Sequence, residues 1–196
     1  MAHMCDMQLS SHGITSGLFD FVLVFTGPAV VPAHARAFLS SMVRAVAIDN
    51  PQAADSNDQR PSVLWAALTK AIKSAPAILE SSPIVFISKE RGPQGMTCRQ
   101  VALHMPPFNA WGVSFRACGG GCTDVLPSDL SFRHDRNAIR CHCALCGWKS
   151  CRVKHEDVDD LVHPFSPELP LVFWHTYPPS AHLLDGFTRL TRERRD

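Results

Sequence analysis

The apolar pattern of the first half consists of two short continuous runs, residues 19–25 (FDFVLVF) and 83–88 (PIVFIS), with two stretches of helical period between them. Runs of this length read as strands buried on both faces. Over residues 32–48, Ala35, Phe38, Leu39, Met42, Val43 and Val46 recur at helical spacing, which predicts a helix packed on the first strand. Asp49-Asn-Pro51 ends it, because proline disfavours a helical residue before itself. Residues 51–60 are polar, without period, and read as an exposed loop. A second helix is predicted from Ser62 as N-cap, with Leu64, Trp65, Leu68 and Ile72 on one face and Pro76 as its stop. Strand, helices, strand is the order of parallel strands joined by a right-handed crossover. The expected fold is therefore α/β, a small sheet with parallel strands and crossover helices. Two strands do not make a stable sheet, so a later segment such as residues 171–174 (LVFW) is expected to join it.

The second half is patterned by cysteines. Six of the eight lie within residues 118–151. Cys118-Gly-Gly-Gly-Cys122 is answered, twenty residues on, by Cys143-Ala-Leu-Cys146-Gly147. Two close pairs at this separation suit a tetrahedral metal site, each pair wrapping one side of the ion. Gly147 can supply the positive φ that the turn after such a pair needs. Residues 112–118 and 138–143 read as strands entering the two pairs, and residues 148–153 as a strand leaving the second, so that the second pair tips a hairpin. Residues 89–111 and 162–170 read as irregular, and residues 181–190 as a short closing helix before a frayed end.

These residues resemble a zinc ribbon over about residues 115–153, roughly a fifth of the chain. The resemblance implies one structural zinc held by Cys118, Cys122, Cys143 and Cys146. The first knuckle has three residues between its cysteines instead of two, so Cys141, Cys151, His134 and His142 are also near enough in sequence to serve. The competing reading is a set of buried free thiols, which pack as small apolar residues. The division expected is residues 1–4 as a cloning remnant of a longer chain, 5–111 as the α/β core, 112–155 as the inserted ribbon and 156–196 as a segment completing the core.

Composition changes this picture little: 45% apolar residues suffice for a core, and 19% charged residues is low. No apolar run reaches the length of a membrane span. Clustered cysteines without a secretory leader favour a reducing compartment, cytoplasm or nucleus, and metal over disulfides. Charge is more informative. The net +1 hides seven basic against three acidic residues over 111–155, a net +4, followed by four basic against eight acidic over 156–196, a net −4. The acidic run 156–160 reads as a solvated helix start.

Several chemistries are excluded by motif. There is no G-x-G-x-x-G, G-K-[S/T], G-x-S-x-G, H-E-x-x-H or kinase set. A deaminase would need H-x-E before P-C-x-x-C, which is missing, and four thiolates leave no position for a catalytic water. Ser11-His12-Gly13 with Cys98 resembles the dyad of caspase-like hydrolases, but in that family the His-Gly follows a sheet strand and here it precedes one. What remains is Arg116, Arg133, Arg136, Arg140, Lys149, Arg152 and Lys154 interleaved with Phe132 and Trp148. Arg140 and His142 share one face of their strand, and Ile139, Cys141 and Cys143 the other. Guanidinium groups beside an exposed indole suit phosphate contact and base stacking. The alternative packs Trp148 on the core and leaves the arginines as solvated surface. The expected function is a non-catalytic binding module with a structural zinc, contacting nucleic acid or, next in order, a protein. The competing class is a cysteine-dependent hydrolase.

Overall fold

A computed structural model describes residues 21–27, 29–48, 60–89, 96–105, 108–115, 117–135 and 138–179. The chain divides into two compact units, residues 1–101 and 102–196.

In the first unit, β1 (Phe21–Phe25) is followed by α1 (Pro32–Ala47), α2 (Arg60–Ser74), the single turn α3 (Ile78–Ser81), β2 (Ile84–Lys89) and β3 (Met96–Leu103), which runs across the unit boundary. Pro32 opens α1, where a missing N–H costs nothing. Phe38, Met42 and Ala45 form its buried stripe, and Phe38 meets Phe25 of β1 edge-on at 6.0 Å. Leu39 and Val43, expected on the same stripe, are 41% and 63% exposed. In α2, Leu64, Leu68 and Ile72 are buried, while Trp65 sits half-buried between Phe86 and the Arg99 guanidinium. The helix begins at Arg60, so Ser62 lies inside it and is not its cap. The expected stop at residues 49–51 and the loop ahead of Arg60 lie outside the described residues.

The parallel arrangement expected from the sequence is overturned. β2 runs antiparallel to β1, with Phe21 opposite Ser88 and Phe25 opposite Ile84, and antiparallel to β3, with Ile84 opposite Val101. The reason lies in the connection. A single crossover helix returns the chain to lay a parallel strand, but α1 and α2 pack on each other, and the added reversal sends β2 back against β1. β3 occupies part of the stretch expected to be irregular.

The second unit holds a three-stranded antiparallel sheet, β4 (Leu130–Asp135), β5 (Ala138–Cys143) and β6 (Val153–Lys154), in that order. A hairpin of β7 (Val162–Ser166) and β8 (Leu169–Thr176) is also antiparallel, and the backbone N–H of His104 donates to the Leu171 carbonyl of β8 at 2.7 Å. Residues 162–170, expected to be irregular, therefore form most of a hairpin, with a bulge between Pro164 and Ser166. The first flank is corrected too. The described residues of 112–118 form no strand; an isolated bridge joins Ala110 to Val113 across a turn in which Trp111 and Gly112 have φ of 50° and 77°. One apolar core serves this unit: Val113, Phe115, Val125, Leu130, Phe132, Ile139, Cys141 and Cys143 are buried in it, with Val153, Val158, Val162 and Phe173. The acidic run lies in a short 3-10 turn (His155–Asp157) and beyond, and its carboxylate residues are exposed, as a solvated segment should be. Among the described residues no helix is long and apolar enough to cross a membrane.

Candidate metal centre

Four cysteine sulfurs converge in the second unit. The Sγ atoms of Cys118, Cys122, Cys143 and Cys146 all lie within 4.8 Å of one another, and Cys118 and Cys146 approach to 3.5 Å. Four thiolates at zinc–sulfur distance, arranged tetrahedrally, stand about 3.8 Å apart. The cluster brackets that value, so the residues are placed to hold one metal ion.

Each knuckle is held by its backbone. In the first, Cys118 N–H donates to the Cys122 carbonyl and Gly121 N–H to the Cys118 carbonyl, both at 3.1 Å. In the second, Gly147 N–H donates to the Cys143 carbonyl and Cys143 N–H to the Trp148 carbonyl, both at 2.9 Å. The second knuckle tips a β5–β6 hairpin, but the strand expected over residues 148–153 shrinks to β6 (Val153–Lys154) and an isolated bridge from Lys149 to His142; Gly147 has the positive φ expected of it, 74°. Ala144 N–H donates to the Asp129 carbonyl at 2.8 Å, tying this knuckle to the start of β4. Gly120 joins the two knuckles: a Cβ there would stand 2.8 Å from Cys146 Sγ and 2.8 Å from Trp148 Cβ. No ordinary Cβ contact is that short, so only glycine fits. The run of three glycines was visible in the sequence; this reason for the middle one was not.

The thiols interact strongly. Burial raises the Cys118 value, but N–H groups of Cys122 and Gly120 and the neighbouring thiols outweigh it, bringing Cys118 down to about 7. Thiol hydrogen bonds to Cys146 and Cys118, with burial behind them, push Cys122 up to about 12. The Trp148 N–H favours the Cys146 thiolate, yet burial and the thiols of Cys118 and Cys143 leave that group raised. Four thiols this close cannot all ionise unless a cation stands between them.

The alternative ligands lie elsewhere. Cys141 is 3% exposed in the apolar core, where burial, ahead of the charges of Cys143 and Cys118, pushes its thiol up to about 12. Cys151 packs half-buried against the same core. His134 packs tilted against His104, ring centroids 4.7 Å apart. His142 faces away from Cys141 and Cys143 and lines a surface depression of about 120 Å³ with Arg133, Arg140 and Lys149. The sequence already places His142 on the Arg140 face of β5, but it was expected there as a spare metal ligand and not among the contact residues of the basic face.

Of the basic residues singled out in the sequence, Arg133, Arg140 and Lys149 thus come together. Arg152 is exposed ahead of β6 and Lys154 is exposed on it, Arg116 and Arg136 lie outside the described residues, and Phe132 is buried in the core. Trp148 is half-buried against the core cluster and is no part of the depression's lining. Cys98 sits on β3 opposite Ile87, and burial pushes its thiol up to about 11, away from the thiolate a nucleophile needs. Ser11 and His12 lie outside the described residues. No protein-family model matches this chain, and neither a curated protein nor a solved structure does.

Proposed function

We propose that the second unit is a zinc-stabilised, non-catalytic binding module that meets nucleic acid with the basic face of its β4–β5 hairpin. The observation that carries the reading is the division of labour on β5. Cys141 and Cys143 point to the core and metal side, while Arg140 and His142 take the opposite face and join Arg133 and Lys149. The cations are therefore not there to offset the thiolates. A sulfur-only tetrahedral donor set is the preference of zinc, whose sphere four thiolates close. Zinc bound so contributes folding energy, roughly 10–16 kcal/mol of apparent binding in small fingers. A hairpin fixed by metal loses little conformational freedom when a partner binds, so a few phosphate contacts suffice for measurable affinity. Reduced thiols fit an intracellular compartment.

Titration of the zinc-loaded chain with oligonucleotides in low salt tests this. Three cations on the face predict a log–log salt slope of about −2 to −3, and Arg140→Ala or Lys149→Ala should each shallow it by about one. Absence of binding at low salt to both single and double strands contradicts the nucleic-acid reading.

A further inference from the structure

Arg133 and Arg140 stand directly opposite each other in the antiparallel register of β4 and β5. Like charges so placed destabilise a hairpin, and a third cation adds to them. The next pair on the same face is Ser131 with His142, and His142 is bridged to Lys149. All four basic residues line one depression of about 120 Å³, and no carboxylate is among the described residues lining it. The arrangement is costly to the free protein and is relieved by an anion.

The depression is also pre-organised. Arg140 Nε donates to the Ser150 carbonyl at 2.9 Å, which fixes the guanidinium and leaves its terminal nitrogens for a ligand. Ser150, 1% exposed, is itself immobilised: its N–H donates to the Cys141 carbonyl at 2.9 Å, and its Oγ accepts from Cys141 N–H at 2.8 Å.

We propose that this depression seats a terminal phosphate, the phosphomonoester at a nucleic-acid strand end. The inference rests on the nucleic-acid reading above and narrows it. Three permanent positive charges converge on one compact site, more than the single charge of a phosphodiester requires. A phosphomonoester carries about −1.5 to −2 at neutral pH and offers three acceptor oxygens. Two arginine forks, a lysine ammonium and an imidazole N–H supply matching donors. A face that tracked a strand would spread its cations along a groove and interleave stacking rings. Here the nearby indole, Trp148, packs against the core instead.

The test is anisotropy of the zinc-loaded full chain with one oligonucleotide sequence bearing a 5′-phosphate, a 3′-phosphate or neither, and a nucleoside 5′-monophosphate as competitor. The expected result is roughly tenfold or greater preference for a phosphorylated end. Arg133→Ala and Lys149→Ala should each abolish that preference, and the monophosphate should compete. Equal binding of all three oligonucleotides overturns the terminal-phosphate site while the nucleic-acid reading stands. Monophosphate binding without binding of any oligonucleotide supports the phosphate seat and overturns the nucleic-acid partner. Binding of neither overturns both. Folding of each variant is checked through its zinc content, because neither substitution touches the four cysteines.

Discussion

Gly120 lies so close to Cys146 that a single added methyl group would stand 2.8 Å from its sulfur. The two cysteine pairs are thus fitted to each other through a residue that is not a ligand. Gly120→Ala should weaken metal retention by roughly 10- to 100-fold, the range of changes next to metal ligands. Competition with a calibrated chelator measures this; unchanged affinity would mean that the knuckles can shift apart freely.

Cys141 and Cys143 are neighbours on one strand face with opposite expected consequences. Cys143→Ser should abolish stoichiometric metal and unfold the module. Cys141→Ser should keep the metal and cost about 1–3 kcal/mol, the penalty for placing a hydroxyl in an apolar core. Metal content and denaturant midpoints of the two variants separate the roles, and metal loss from Cys141→Ser would put that thiol back among the ligands.

Trp148 packs against the core cluster and against the first knuckle at Gly120. Trp148→Ala should therefore lower stability by about 2–4 kcal/mol, toward the range of aromatic truncations in cores. A loss below about 0.5 kcal/mol, typical of surface changes, would return the indole to the role of an exposed stacking platform.

His104 is buried, and its Nδ1 accepts the Trp111 N–H at 2.8 Å. Burial, then the charge of His134, lowers its value from 6.5 to about 4. A histidine depressed in the folded state stabilises the fold fully above its unfolded value, and that stability is lost as pH falls from 6.5 toward 4. Acid also protonates the thiolates, so the wild type must be compared with His104→Asn, which keeps a side-chain acceptor but cannot titrate. The variant should show a shallower loss of stability over that window; identical profiles would contradict the assignment.

The four-cysteine cluster was largely legible because its geometry is local. Cys143-Ala-Leu-Cys146-Gly147 specifies its own turn, and the alternation of β5 separates thiols from cations without tertiary information. Strand direction was not legible, since β1 and β2 are 58 residues apart and their sense depends on how many times the intervening helices reverse. β3 was hidden by its polar residues: Gln100 is buried, and Arg99 lies over the Trp65 ring. The β-like residues Val113 and Phe115 concealed a turn that the positive φ of Trp111 and Gly112 creates. β7 escaped notice because of Pro164, which the outermost strand of a sheet tolerates, with a bulge beside it.

Elemental analysis of protein purified without chelator decides whether the four cysteines bind one structural zinc. The expected result is one zinc per chain, a colourless protein and loss of that zinc in Cys146→Ser with unfolding of the second unit. Protein that is folded and free of stoichiometric metal would contradict it.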